Sequence, residues 1–446
     1  MSELAELARR VAERAVPGEQ IEVFAARGTS TEVTAYGGQV ESLTVAESAG
    51  VGIRVVVDHR QGFAHCGTLD DDVVAETLAE ARDNAAFGQP DEWQGVAEPD
   101  GVPEPTLELW SDELATLPIP AKVELALALE RSVLGRDPRI RGVRSATYSD
   151  GRGEVAVATS TGLLAHGREG RCALSVSALA DDGAETRIGA GSHAARTPSE
   201  LDLDAAAGDA VDRAVRLFGA TKPASQRLTV LLEPRLAATV VGILGGCLTG
   251  GRVLKGRSPF ADRLGEQVAS PLLTLVDDAT DPRSLAADTF DGEGLATRRT
   301  VLVEDGVLRG FLHDSYTGRR SGTGSTGSAV RGTSSTPEPG CQALAMVPGA
   351  GSFEELLAGI DHGLWVGSIT GLHSGVNPVS GDVSVGVEGL IIRGGAPAEP
   401  VREATLASTL QRLLLDIRAV GADLTWLPGG TGACTLVVDD VALSGR

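Results

Sequence analysis

The chain has 446 residues, 42% hydrophobic and 22% charged, which at about 100 to 200 residues per domain gives two to four domains with ample hydrophobic core. Its 39 basic and 61 acidic residues leave a formal charge of -22, which repels phosphate backbones and anionic membranes and argues against nucleic-acid or membrane partners. The five cysteines (Cys66, Cys172, Cys247, Cys341, Cys434) are far apart with no C-x-x-C pair, so neither a disulfide framework nor a zinc ribbon is expected, and a reducing cytoplasm fits best. No signal-peptide pattern opens the chain, and the longest apolar stretch, Leu228 to Leu248, is broken by Glu233, Pro234 and Arg235, which excludes a spanning helix there.

In chain order, Ser2 caps a helix whose Leu4, Leu7, Ala8 and Val11 share one face until Pro17-Gly18. Strand-like segments follow at Ile21 to Val23, Val40 to Val45, Val51 to Val57 and Phe63 to Cys66, with turns at Gly37-Gly38 and Asp58 to Gly62. Helical spacing returns from Asp71 to Phe87. Residues 1–88 thus read as a helix–antiparallel-sheet–helix unit, and 89–106, with Pro90, Pro99, Pro103 and Pro105 among acids, as an extended linker. The order repeats over 107–221: a helix near Ala121 to Leu134, alternating segments at Glu154 to Ala158 and Ala173 to Leu179, and a helix from Ser199 to Phe218, which suggests structural duplication. Residues 222–446 read as a larger β-rich domain. It opens with a strand at Leu228 to Leu232 and a helix with Pro234 at its first position. A hairpin turns at Asp305-Gly306, the loop-like run Thr317 to Thr336 follows, and closing strands lie at Thr435 to Val438 and Val441 to Leu443. The fold class is α+β.

Several motifs have ordinary readings. Gly322-Thr-Gly-Ser-Thr-Gly327 matches G-x-G-x-x-G, but no helix-forming stretch follows, so it reads as a loop rather than a dinucleotide site. None of the seven histidines pairs with another at i, i+4. His65 and Cys66 are adjacent on a strand and face opposite sides, which favours structural roles. Asp288-Thr-Phe-Asp-Gly-Glu293 resembles part of a calcium loop with other ligand positions missing, and reads as a solvated turn.

Gly251-Arg-Val-Leu-Lys-Gly-Arg-Ser-Pro-Phe260, Leu264 to Val268, Thr289-Phe-Asp-Gly-Glu-Gly294, Asp314 to Arg320, Gly375-Val-Asn-Pro-Val-Ser-Gly-Asp382 and Val420-Gly-Ala-Asp423 together, in order and spacing, resemble the TldD/PmbA family over essentially the whole chain. The resemblance implies one half of a heterodimeric metallopeptidase acting on peptides and unfolded segments. In that family only the TldD type carries H-E-x-x-x-H on the helix after the first strand of the third unit, and a cysteine near its C-terminus helps hold the metal. The matching stretch here is Val241-Gly-Ile-Leu-Gly-Gly246: Val241, Gly242 and Gly246 stand where the ligands and base would be. These residues can neither ligate zinc nor activate water, and a remaining thiol at Cys247 or Cys434 is no site alone. The resemblance therefore implies a TldE (PmbA) type, non-catalytic subunit with no cofactor of its own. Its expected partners are a TldD-like chain carrying zinc or a similar divalent metal and a peptide or unfolded-protein substrate, with a homodimer as a further possibility. Arg319 and Arg320 beside the glycine-rich loop are the candidate substrate-facing residues. The rival readings are a stand-alone peptide-binding scaffold and a metal-independent peptide-tailoring enzyme of secondary metabolism.

Overall fold

A computed structural model describes residues 2–446. Ser2 accepts the Ala5 N–H at 3.2 Å and caps the helix Glu3–Ala12, with Glu3 and Glu6 in its first turn and Arg9 and Arg10 in its last, a charge order that suits the helix dipole. The strands that follow are much longer than the sequence pattern suggests: β1 (Glu19–Tyr36), β2 (Gln39–Val57) and β3 (Arg60–Cys66). Gly37 and Gly38, both at positive φ, make the β1–β2 turn, as a two-residue hairpin of matching twist requires. Strands β4 (Ile140–Thr159), β5 (Leu164–Asp181) and β6 (Thr186–Ala195) form a second meander.

The two meanders join through β1 and β4 into one six-stranded antiparallel sheet of order β3-β2-β1-β4-β5-β6. Each is flanked by a helix before and a helix after: Glu3–Ala12 and Asp71–Phe87 for the first, Ile119–Val133 and Leu203–Val215 for the second. The closing helices dock alike. A Cβ on Gly62 of β3 would lie 2.8 Å from the Ala85 Cα, and one on Gly189 of β6 2.9 Å from the Ala214 Cα, so in both meanders only glycine lets the helix backbone rest on the third strand. That shared detail supports the duplication where side-chain similarity is faint.

The C-terminal part holds three further sheets, one of them only the two-stranded pair Ala329–Val330 and Glu338–Pro339. The strands Ala396–Thr409, Asp382–Arg393, His362–Thr370, Gln226–Leu232 and Leu436–Ser444 pair in that order, and the last pairs back to the first through Thr405 and Ser444, closing a barrel. Gln226–Leu232 and His362–Thr370 run parallel, a pairing that needs a long crossover; the chain between them supplies the helix Pro234–Cys247 and four strands of a six-stranded sheet that Thr425–Trp426 and Gly432–Ala433 complete. The fold is α+β, with helix–sheet–helix units ahead of a β-rich C-terminal domain. Among the described residues no helix is long and apolar enough to cross a membrane.

Alternation along the strands sends Ile21, Val23, Ile53 and Val55 into the core under the first pair of helices, and Glu22, Phe24 and Arg54 to the opposite face. That face is not solvated: it lies against the C-terminal domain, and Glu22, Arg54 and Glu293 are all buried. Arg54 donates to Glu22 at 3.0 and 2.5 Å and to Glu293 at 3.2 Å. Arg331 also pairs with Glu22 and lies 5.0 Å over the Phe24 ring. Residues 89–106 are no free spacer: Val96 and Ala97 are buried, and the Gly95 carbonyl accepts from both Arg54 and Arg319. The turn at Asp288 to Glu293 is likewise buried rather than solvated. Asp291 accepts the backbone N–H groups of Glu293, Leu295 and Ala329, and Glu293 accepts that of Ser315, so these carboxylates are committed to the protein.

Removing one member of such a cluster strands the others in low dielectric. Arg54→Ala is expected to cost about 3–5 kcal/mol, read as a lower urea midpoint, and a loss under about 1 kcal/mol would contradict the buried cluster. Burial works to raise the Glu22 pKa, but Arg54 and Arg331 outweigh it and hold the carboxyl below its ordinary value. Its stabilisation is therefore present above the unfolded carboxyl pKa and lost as pH falls through the folded one. The same variant should show a flatter decline in stability on acidification than the parent.

Candidate functional site

The helix Pro234–Cys247 follows the first barrel strand and has proline at its first position, where a missing N–H costs nothing. Leu236, Ala237, Val241, Leu244 and Cys247 face the core of the C-terminal domain. Val240 and Ile243 turn toward the barrel mouth, where they meet Ile369, Leu372, Val376 and Leu413 around an apolar cavity of about 60 Å³.

Its three glycines have different surroundings. A Cβ on Gly245 would lie 2.7 Å from the Cys341 sulfur and closer still to Leu344, whereas one on Gly242 or Gly246 meets nothing within 4 Å. Of the three, only Gly245 makes a close approach that a side chain would block. Gly242 and Gly246, one helical turn apart, leave an open, side-chain-free strip, and Val241 points into the core.

The donor set around this strip does not fit a divalent metal. Among the described residues no group of three or more His, Cys, Asp or Glu side chains is placed to hold one. Cys247 donates to the Pro378 carbonyl at 3.5 Å, and burial raises its pKa. Burial, with a smaller effect from Asp423, pushes Cys434 up to about 12. Neither belongs to a group of three or more potential ligands among the described residues, and a single sulfur does not make a zinc site. His65 is exposed, and Cys66 is half-buried with its sulfur donating to the Thr68 carbonyl at 3.4 Å.

The start of the Thr317 to Thr336 run is not loop. Asp314 accepts the Thr317 N–H at 2.8 Å, the helix Ser315–Ser321 follows, and Gly322 ends it at φ 73°, the left-handed conformation that glycine allows. Both cap residues, Asp314 and Gly322, stand in the sequence amid its glycine and serine content. Arg319 on this helix donates to the carbonyls of Trp93, Gly95 and Val96, pinning the linker. Arg320 is exposed and reaches the Tyr316 hydroxyl at 3.1 Å. A second cationic group, Arg187, Arg213, Arg235 and Arg402, lines a cleft between β6 and the barrel. Its members are too far apart in sequence for spacing to connect them.

A duplicated helix–sheet–helix body is thus locked onto a barrel domain whose first helix, Pro234–Cys247, carries no histidine, aspartate or glutamate. The PmbA/TldA metallopeptidase domain 1, central domain and C-terminal domain match residues 21–85, 112–218 and 225–445. The metalloprotease PmbA of Escherichia coli O157:H7 is 28% identical over 90% of this chain and 87% of its own length. The metalloprotease TldD homolog of Haemophilus influenzae is 29% identical over 86% and 81%. Among solved structures, a Thermotoga maritima protein aligns with a TM-score of 0.88 at 26% identity over 96% of each chain. TldE from Thermococcus kodakarensis shares the fold with a TM-score of 0.89 at 24% identity, over 96% of this chain and 97% of its own. The chain belongs to the PmbA/TldD metallopeptidase family.

The glycine geometry separates two otherwise similar substitutions. Gly242→Ala should raise stability by up to about 1 kcal/mol through helix propensity, while Gly245→Ala should lower it by about 1–3 kcal/mol through overpacking, both read from urea unfolding. Equal effects would contradict this packing. Beneath the helix, Asp277 accepts the N–H groups of Gln342 and Ala343 at 3.1 and 2.9 Å, and burial pushes its acid up to about 7. A carboxyl raised above its unfolded value near 3.8 destabilises the fold increasingly as pH rises from about 4 to about 7. Asp277→Asn should therefore gain stability relative to the parent between pH 5 and pH 8; a gap independent of pH would show that Asp277 does not titrate there.

Proposed function

We propose that this chain is the non-catalytic, TldE-type subunit of a two-chain metallopeptidase. It pairs with a TldD-like chain and helps to hold peptide or unfolded segments, and leaves the zinc or similar divalent metal and hydrolysis to that chain. The observation that carries the reading is the strip of Gly242 and Gly246, open space at the positions where the resemblance puts a base and a ligand. A helix face that projects no side chain can border a substrate cavity but neither bind a metal nor activate water.

Pairing finds support at the free edge of the N-terminal sheet. Strand β3 covers β2 only from Val51 onward, and every residue from Gln39 to Ala49 is exposed, including Val40, Leu43 and Val45. Uncovered apolar edges invite strand pairing, and proteins ordinarily blunt them with charge or proline. In the assembly this edge lies against the partner.

Co-expression with a TldD-like chain, followed by size-exclusion chromatography and a peptide-cleavage assay, tests the reading. The two chains are expected to co-elute, with cleavage by the complex and none by this chain alone. Leu43→Lys combined with Val45→Lys should weaken co-elution at least tenfold without changing the thermal midpoint. Cleavage by the isolated chain would overturn the assignment, and would favour the metal-independent enzyme.

A further inference from the structure

The cleft between β6 and the barrel, about 530 Å³, carries an excess of positive charge in a chain whose formal charge is -22. Three of its four arginines are matched by carboxylates. Arg187 pairs with Glu388 at 3.1 Å, Arg402 with Glu185 at 2.9 Å, and Arg213 with Asp209 at 2.6 Å. Arg235 has no carboxylate within ion-pair distance among the described residues. Its one hydrogen bond goes to the Gly367 carbonyl at 2.9 Å, and its Nε is buried without a partner. Burial, and then the neighbouring Arg213, lower its pKa. A half-buried guanidinium held on one neutral acceptor is an electrostatic cost that an anion would relieve.

The surroundings narrow the kind of anion. One unmatched cation beside two glutamates suits a single negative charge, and a doubly charged phosphate would face Glu185 and Glu388. The cleft is also walled by backbone. Strand β6 is the free edge of its sheet, and the irregularity between Val366 and Ser368 takes Gly367 out of the barrel ladder. Edge strands and bulges present main-chain groups to an extended chain. We propose that this cleft is a subsite for a peptide carboxylate, with Arg235 as its anchor. It rests on the peptide-holding role above and names the end by which the peptide is held. The carboxylate belongs either to the peptide C-terminus or to an acidic side chain, and both present the same planar monoanion to the guanidinium.

The test is fluorescence anisotropy on the full chain with an N-terminally labelled, unstructured octapeptide in three forms: free C-terminus, C-terminal amide, and amide with one internal aspartate. Binding of the free acid should exceed that of the plain amide by about tenfold or more, the worth of a charge-assisted hydrogen bond. Binding of the aspartate form identifies a side-chain carboxylate as a second source. Arg235→Gln should abolish the difference and leave the plain amide unchanged, while Arg235→Lys, which keeps the charge, should restore part of it. Thermal midpoints of both variants confirm an intact fold. Equal binding of acid and amide by the parent leaves peptide holding intact and overturns the subsite. Binding of no form overturns both. Displacement of the acid peptide by inorganic phosphate but not by acetate would also overturn the carboxylate assignment.

Discussion

Arg54 and Arg331 meet Glu22 and Glu293 where the N-terminal sheet lies on the C-terminal domain, and the arrangement of the molecule depends on that contact. All four side chains are buried, so the charges are worth having together and costly apart. Apolar surface alone would let the two bodies slide. The directional bonds from Arg54 to Glu22 and Glu293, and to the Gly95 carbonyl, fix sheet, linker and the Asp288 to Glu293 turn at once. Phe24, Val157, Ala165 and Phe290 form a small apolar cluster at the same interface. Its register is thus specified by polarity and its affinity by burial.

Fixing the two bodies also fixes what lies between and beside them. The cleft lined by β6 and Gly367 exists because the far edge of the sheet is held close to the barrel. The helix Pro234–Cys247 is set by the domain's own core, through Val241, Leu244 and Cys247, and by the fit of Gly245 against Cys341 and Leu344. Its outer strip is left to Gly242 and Gly246. The core thus keeps the helix in place while its outer strip carries no donor side chain.

Much of the fold was legible because it depends on local signals. Ser2 with Glu3 and Glu6, the Gly37-Gly38 and Asp305-Gly306 turns, and Pro234 ahead of an apolar run each act within a few residues. The repeated order of helix, strands and helix was legible for the same reason. The errors lie where a distant segment covers a polar face. Glu22 and Arg54 alternate with valine and isoleucine as a solvated strand face would, and Asp291 and Glu293 sit in a glycine turn as solvated acids would; the interface that buries them joins residues more than 200 positions apart. Arg319 could be singled out as a cation, but not as one whose donors are consumed by carbonyls at Trp93 to Val96. The open strip is intermediate: the absence of His and Glu from Val241 to Gly246 is plain in the sequence, whereas only the structure separates Gly245, which must be glycine to fit, from Gly242 and Gly246, which need not be.

The proposed role requires that the helix Pro234–Cys247 hold no metal, and zinc titration of the isolated chain addresses that most directly. After exhaustive chelation and removal of the chelator, calorimetric titration with zinc at neutral pH should give no stoichiometric high-affinity uptake, and the thermal midpoint should be indifferent to added metal. One equivalent of zinc bound tightly, with a matching rise in thermal stability, would contradict it.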